Sequence, residues 1–253
     1  MRIMSWNMYC YNKRYEAVLA LVRDSGADVF CLQEVPTPLL ERLCALYPYS
    51  HFVVDSERVY GGAELTYYNV ILSRTPLTDA QTIHLESLPL KLRTKLVIML
   101  MRPLGWARTW NRNVAAARIE TQDGTLTVVS AHLTLSAPTL RAEEFRKIIQ
   151  SIEKPAVIAG DFNILEFGPI KILSWLLGAR LRESLPWFNE RALWQKYFAD
   201  EGLVNPLRGL VTHGFSRSQL DHILVSHSLT VTKFGVSRNR AGSDHAPIYL
   251  DLS

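Results

Sequence analysis

Short apolar runs alternate with segments of helical periodicity in the first fifth of the chain. A buried strand is predicted from Arg2 to Trp6 and a second one from Val29 to Leu32. Between them, apolar residues recur at helical spacing from Tyr15 to Val22, and Gly26 is a suitable residue to end that helix. Thr37-Pro38, as N-cap and first-turn proline, predicts the next helix. This alternation favours an α/β fold.

The remainder of the chain is richer in strands. Asp123-Gly124 separates two alternating runs, Val114 to Glu120 and Thr125 to Ala131, which predicts a β-hairpin. Other apolar runs predict strands at Phe52–Val54, Val70–Leu72, Thr82–Leu85, Ala156–Ala159, Ile223–Val225, Val231–Phe234 and Ile248–Leu252, and helices around Phe145–Ile152 and Trp194–Phe198. Because no repeat or linker interrupts the pattern, we expect one α/β domain over residues 1–253.

Composition places the chain among ordinary globular proteins, with 48% hydrophobic residues, 21% charged residues and a net charge of +4. The three cysteines are odd in number and form no Cys-x-x-Cys pair, so neither a disulfide framework nor a zinc site is indicated. We see no secretory signal and no apolar run of membrane-spanning length. The expected location is cytoplasmic, without a transmembrane segment.

Polar clusters lie at the ends of the predicted strands, where loops collect functional groups on a rigid scaffold. They are Asn7, Gln33-Glu34, His132, Gly160-Asp161-Phe162-Asn163, Asp221-His222 and Ser243-Asp244-His245. Each cluster alone is more typical of a turn or a satisfied polar side chain. Together, Glu34, Asp161 and Asp244 supply the oxygen ligands that magnesium prefers, and His132 and His245 can bind phosphate or move a proton. This combination indicates metal-assisted phosphoryl transfer.

In type and order these motifs resemble those of the DNase I-like endonuclease/exonuclease/phosphatase superfamily. The matching segments are Ser5-Trp6-Asn7, Leu32-Gln33-Glu34-Val35, Asn69-Val70-Ile71-Leu72-Ser73-Arg74, Ser130-Ala131-His132-Leu133, Gly160-Asp161-Phe162-Asn163, Leu220-Asp221-His222-Ile223 and Ser243-Asp244-His245-Ala246-Pro247. They run from residue 5 to residue 247, nearly the whole chain. The resemblance implies a four-layer α/β/β/α sandwich, in which two packed mixed β-sheets are flanked by helices.

The resemblance also implies roles for individual residues. Those implied in binding Mg²⁺ or Mn²⁺ are Glu34, Asn7 and Asp244, and those implied in catalysis are His245, Asp161, Asn163, Asp221 and His132. Asp161 and Asn163 would orient an attacking water that the metal organises, and His132 would contact a phosphate oxygen. Asp221 would orient His245, and Glu64 is a candidate to orient His132. Either Asp161 or His245 could accept the proton.

Two departures from the motifs argue against the abasic-site endonuclease branch. That branch usually has Asn or Asp two residues after the first Asn, where this chain has Tyr9. It also carries a tyrosine motif where this chain has His132-Leu133. The remaining branches act on widely different phosphoesters, so the fold alone does not select a substrate.

The positive charge of the chain is concentrated in the segment from Leu88 to Asn113. This segment contains no acidic residue but has six basic residues and two tryptophans, Lys91, Arg93, Lys95, Arg102, Arg108, Arg112, Trp106 and Trp110. Without those six charges the chain has 22 basic and 24 acidic residues. Basic residues interleaved with tryptophan suit a phosphate backbone with stacked bases. Hydrolysis of DNA or RNA phosphodiesters is therefore favoured, with Lys91, Arg93, Arg108, Arg112, Trp106 and Trp110 as substrate contacts.

Other interpretations of the same features stay open. The alternation of Lys91, Arg93 and Lys95 with leucines is also typical of a charged edge strand. The wholly apolar run from Leu96 to Met101, beside basic residues, also suits an anionic lipid surface. The competing functions are a lipid or inositol phosphoester hydrolase with the same metal site and a non-catalytic phosphate-binding module.

Overall fold

The computed structural model describes residues 1–60, 63–85, 92–101, 108–110, 113–164, 171, 174–185 and 187–253. Its strands are β1 (Arg2–Asn7), β2 (Val29–Pro36), β3 (Tyr49–Tyr60), β4 (Ala63–Ser73), β5 (Leu77–His84), β6 (Arg108–Trp110), β7 (Asn113–Thr121), β8 (Gly124–His132), β9 (Ala156–Asp161), β10 (Leu203–Val204), β11 (Asp221–Ser226), β12 (Val231–Val236) and β13 (Ile248–Leu252). Its helices are α1 (Tyr15–Asp24), α2 (Thr37–Cys44), α3 (Leu92–Met101), α4 (Pro138–Ser151) and α5 (Glu190–Asp200), with a 3₁₀-helix at Leu181–Ser184. In this described part of the chain, no helix has both the length and the apolar character needed to cross a bilayer.

The strands form two mixed sheets. The first has the order β12-β13-β1-β2-β4-β3-β6 and the second β10-β11-β9-β8-β7-β5. Strands β1 and β2 are parallel, as are β8 and β9, and the other neighbouring pairs are antiparallel. Each sheet thus has one parallel pair, whose carboxyl ends point the same way.

Side chains alternate between the two faces of each sheet, and this alternation builds three apolar layers. Ile3 and Cys31 of the first sheet pack with Val128 and Val157 of the second in the layer between the sheets. The outer face of the first sheet packs on α1 and α2, and that of the second packs on α4 and α5. The predicted four-layer α/β/β/α sandwich is confirmed.

Two predictions of local structure, the hairpin at Asp123-Gly124 and the helix at Thr37, can be compared with the structure. The hairpin at Asp123-Gly124 is confirmed, because β7 and β8 pair from Thr121 and Gly124 onward, and Gly124 has a φ of 113°. The helix at Thr37 is also confirmed, but Thr37 is not its N-cap. Its hydroxyl donates to the carbonyl oxygen of Thr66, and Pro36 precedes the helix.

The edge-strand interpretation of the segment around Lys95 is wrong, because residues Leu92–Met101 form helix α3. Leucine, lysine, arginine and methionine all favour helices, and their apolar positions fit a helical period as well as a strand period. The hydroxyl of Thr94 donates to the carbonyl oxygen of Leu176 at 3.4 Å. One face of α3 therefore packs on the chain segment that follows β9.

Candidate active site

The candidate site lies where the parallel strands of both sheets end. Asn7 ends β1 beside Gln33 of β2, and His132 ends β8 beside Asp161, the last residue of β9. Asp221 opens the antiparallel strand β11 and also pairs with Asp161. Strand register therefore brings together polar residues that are far apart in the sequence.

Asp161 lies at the centre of this group. Its Oδ2 accepts a hydrogen bond from Nδ2 of Asn7 at 3.0 Å, and its Oδ1 accepts one from the backbone nitrogen of Asn163 at 2.9 Å. The same Oδ2 lies 3.9 Å from Nε2 of His132 and 3.8 Å from Nε2 of His245. Burial raises the pKa of Asp161, and the nearby imidazoles offset that effect only in part. Asp161 thus joins the two sheets and faces both imidazoles.

Two residues of the site have left-handed backbone conformations, with φ of 56° at Glu34 and 51° at Asn163. Such conformations are unusual for residues other than glycine and concentrate at functional sites. At Glu34 the register between β2 and β4 shifts, and its Oε2 accepts a hydrogen bond from the backbone of Cys10 at 2.7 Å. Nδ2 of Asn163 donates to the carbonyl oxygen of Leu133 at 2.9 Å. Both side chains are buried and held in place.

His245 is paired with Asp221, the arrangement that the family resemblance implies. Its Nδ1 lies 2.8 Å from Oδ2 of Asp221, which leaves Nε2 directed towards Asp161. Burial opposes protonation of His245, but the charges of Asp221 and Asp161 outweigh it and raise its pKa to about 10. Burial likewise acts to raise the pKa of Asp221, and His245 holds that pKa below its ordinary value. The pair is therefore an imidazolium and a carboxylate at neutral pH.

His132 is oriented by Asp55 rather than by Glu64. Its Nδ1 lies 3.1 Å from Oδ2 of Asp55, whereas Glu64 is exposed. A register shift of β3 between Val54 and Ser56 places Asp55 at a β-bulge, a feature that redirects a side chain. Burial opposes protonation of His132, but Asp55, together with the charges of Asp161 and Glu34, outweighs it and raises the pKa. The sequence signal for Asp55 was weak, because a single carboxylate in an apolar strand does not identify its partner.

His213 is a second residue of the site that the sequence analysis missed. Its Nε2 lies 3.4 Å from Oδ2 of Asp244, and its ring centroid lies 4.8 Å from that of His245. The backbone N–H of Ser216 donates to Nδ1 of His213, so in neutral His213 the proton is on Nε2 and is donated to Asp244. The sequence offered no signal for this contact, because His213 lies in a loop with no flanking motif.

The oxygen donors of the site fit a divalent cation. The carboxylates of Glu34, Asp161 and Asp244 and the amide of Asn7 are hard ligands. Oδ1 of Asp244 is shielded from solvent and has no hydrogen-bond donor among the described residues, so it is suited to bind a cation. One ligand atom each of His213, Asp244 and His245 lies within 4.8 Å of the others. This chemistry fits magnesium and manganese alike.

Three of the six expected substrate contacts, Arg93, Arg108 and Trp110, lie within the described residues. The guanidinium of Arg93 stacks on Trp175, 4.9 Å from its ring centroid, and donates to the carbonyl oxygens of Trp175 and Ala179. Arg93 is therefore held by contacts within the protein, and its role as a substrate contact stays a prediction. Arg108 and Trp110 belong to the edge strand β6. The other expected contacts lie outside the described residues, namely Lys91, Trp106 and Arg112.

Comparisons with known proteins agree with this geometry. The profile of the Endonuclease/Exonuclease/phosphatase family matches residues 4–245. No curated protein sequence matches the chain. Among solved structures, an endonuclease/exonuclease/phosphatase from Beutenbergia cavernae matches with a TM-score of 0.72 and 20% identity, over 100% of this chain and 71% of the other.

Two further matching structures carry the name of a specific protein or activity. A humanized D. rerio TDP2 matches with a TM-score of 0.63 and 16% identity, over 100% of this chain and 98% of the other. A mannosyl-6-phosphatase from Bacteroides thetaiotaomicron matches with a TM-score of 0.58 and 16% identity, over 100% of this chain and 99% of the other. At these identities the likeness shows a shared fold.

Proposed function

The chain belongs to the endonuclease/exonuclease/phosphatase family of metal-dependent phosphoester hydrolases, and from this premise we propose that it hydrolyses phosphodiesters at the Asp161 cluster. The observation that carries the proposal is the position of Asp161, whose Oδ2 is bonded to Asn7 and faces Nε2 of both His132 and His245. A buried carboxylate can accept a proton from water, and the two imidazoles beside it can bind the phosphate that the water attacks.

Each residue has a chemical role in this proposal. Asp161 accepts the proton of the attacking water, because its raised pKa makes it a stronger base than an exposed carboxylate. His245 and His132, each with a carboxylate at Nδ1, direct Nε2–H towards phosphate oxygens and stabilise the charge that develops there. Asn163 holds Asp161 through its backbone N–H.

Glu34, Asn7 and Asp244 are the residues that would hold magnesium or manganese. When bound, the cation supplies positive charge that offsets the negative charge of the phosphate. The tight hydrogen bonds of Glu34 and Asn7 keep their oxygens in place for this purpose. Asp244 contributes an oxygen, Oδ1, that is shielded from solvent and accepts no hydrogen bond within the described residues.

Two substrate classes compete. Nucleic acid is the class that the basic, tryptophan-containing segment favours, although Arg93 is held by contacts within the protein. A lipid phosphodiester is the second class, and a specific observation favours it. Helix α3 exposes Leu92, Met99 and Leu100, with 75%, 61% and 71% of their surfaces accessible. Aliphatic side chains offer no face on which a base can stack.

A substrate panel with magnesium or manganese tests the proposal. It should include a chromogenic phosphodiester, its monoester counterpart, single- and double-stranded DNA, RNA, phosphoinositides and sphingomyelin. We expect metal-dependent turnover of the chromogenic diester, reduced by about 10² or more in Asp161→Asn. Turnover of monoesters alone would contradict the phosphodiesterase proposal, as would diester cleavage that is unaffected by Asp161→Asn.

A further inference from the structure

Helix α3 has an apolar face on the outside of the protein. Leu92, Leu96, Met99 and Leu100 recur at the spacing of one helical face, and 75%, 48%, 61% and 71% of their surfaces are exposed. Thr94 lies on the opposite face and Arg93 at the border between the two, and both are bonded to the segment after β9. A contiguous exposed apolar patch of this kind, on the order of a few hundred Å², marks an interaction surface.

Positive charge surrounds this face. Lys95 is exposed on α3, and Arg180, Leu181 and Arg182 are exposed on the segment that Arg93 binds. Residues 92–101 and 174–185 contain one acidic residue, Glu183. Glu183 is buried and accepts hydrogen bonds from Thr139 and from the backbone of Arg180, so it does not offset the exposed charge.

We propose that the exposed face of α3 and the adjoining residues Arg180–Arg182 form a docking surface for an anionic lipid membrane. Leucine and methionine side chains enter the acyl boundary, and the lysine and arginine side chains meet the lipid headgroups. A second copy of the chain fits this surface poorly, because a symmetric contact would bring Lys95, Arg180 and Arg182 of both copies together. Nucleic acid would use the charges but leave the leucines and methionines exposed.

The position of this surface gives docking a consequence for the site. Glu183 is bonded to Thr139 in the first turn of α4, and Arg141 of the same helix donates to the carbonyl oxygen of Thr134. Thr134 follows His132 by two residues. These bonds therefore connect the docking surface to the loop that follows His132, at the edge of the two sheets where the candidate active site lies. Docking would hold this edge near lipid headgroups, a consequence that rests on the proposed phosphodiesterase function, whereas docking itself does not.

Sedimentation with vesicles tests the docking surface. We expect the wild type to bind vesicles that mix phosphatidylcholine with phosphatidylglycerol at low salt, and to bind pure phosphatidylcholine more weakly. Met99→Ser with Leu100→Ser should weaken binding by about tenfold or more. Lys95→Gln should weaken it by about fivefold, and only for the anionic vesicles. The matched control is Val204→Ser with Phe234→Ser, two exposed apolar residues on edge strands, which should leave binding unchanged.

Failure of the two proposals can be told apart. Turnover of the chromogenic diester should be the same in the Met99→Ser/Leu100→Ser variant and the wild type, which shows that the variant is folded. Absence of wild-type binding to anionic vesicles would overturn the docking proposal, as would an equal loss in the control variant. Loss of DNA binding in the Met99→Ser/Leu100→Ser variant, with vesicle binding intact, would assign the surface to nucleic acid and overturn it too.

Discussion

Oδ2 of Asp221 lies 2.8 Å from Nδ1 of His245, and both side chains are buried at the edge of the two sheets. Because the carboxylate fixes the imidazole with Nε2 towards Asp161, the two residues should act as one unit. We expect His245→Ala to lower kcat by about 10² to 10⁴. Adding Asp221→Asn to His245→Ala should cost at most about threefold more. Steady-state kinetics of both single variants and the double variant measure this, and multiplicative losses would contradict the pairing.

The same pair predicts a pH dependence. His245 has a folded-state pKa raised to about 10, above the value of about 6.5 of an unperturbed histidine. Protonated His245 therefore stabilises the fold fully below about pH 6.5, and this contribution is lost as the pH rises through about 10. Asp221→Asn should lower the pKa of His245, and the free energy of unfolding should then fall less steeply between about pH 7 and 10 than in the wild type.

Nuclear magnetic resonance of the His245 ring measures that pKa directly, and chemical denaturation at several pH values measures the stability. The alkaline limb of the activity profile should move to lower pH in Asp221→Asn, because Nε2–H is then lost earlier. An unchanged His245 pKa in this variant would show that Asp221 does not set it.

Much of the fold could be predicted because strand periodicity is local. Alternation around Asp123-Gly124 and the apolar run from Ile248 to Leu252 both correspond to strands with these positions. The segment at α3 could not be assigned, because Leu92 and Leu96 fit a strand and a helix equally. The hydrogen bond from Thr94 to Leu176, a contact of this helix in the fold, joins residues 82 positions apart and leaves no local pattern in the sequence.

Contacts of the site were predicted where both residues belong to motifs of the family. They were missed where one residue of the contact lies outside any motif. Asp221 and His245 belong to recognisable motifs, so their pairing followed from the resemblance. Asp55 lies 77 residues before His132, and only the β-bulge in β3 directs it there. His213 reaches Asp244 across 31 residues through a loop. No single-sequence pattern encodes either contact.

Asp55 should be a positioning residue for His132. We expect Asp55→Asn to lower the pKa of His132 and to reduce kcat by about 10- to 100-fold, because the carboxylate at Nδ1 favours the charged imidazole. Glu64→Gln is the matched control, since Glu64 is an exposed carboxylate on the neighbouring strand, and it should behave like the wild type. The measurements are kcat against pH and the His132 ring titration. If Asp55→Asn leaves both unchanged, the hydrogen bond has only a structural role.

His213 should position Asp244. Its Nε2–H is donated to Oδ2, which leaves Oδ1 of Asp244 available to a cation. We expect His213→Ala to raise the magnesium concentration for half-maximal activity by about 10- to 100-fold, with a smaller change in kcat at saturating magnesium. His213→Gln, whose amide nitrogen can replace Nε2, should return the magnesium concentration for half-maximal activity most of the way to the wild-type value. The same magnesium dependence in His213→Ala and the wild type would remove this role.

Glu34 should carry most of the electrostatic attraction for the cation. It is buried at the bulge of β2, and its Oε2 already accepts the N–H of Cys10, which fixes the carboxylate in one orientation. Glu34→Gln keeps an oxygen for Cys10 but removes the negative charge. The fold should therefore persist, while activity at limiting magnesium falls by about 10² or more.

The control for this charge change is Glu41→Gln, which removes an exposed carboxylate from α2, the helix that follows β2. It should leave both magnesium dependence and stability unchanged, because an exposed charge is well screened by solvent. Thermal unfolding of all three proteins separates the two ways in which Glu34→Gln can lose activity. If the variant unfolds at a much lower temperature, Glu34 is structural. If it stays folded and keeps activity within about threefold of the wild type at limiting magnesium, Glu34 does not hold the cation.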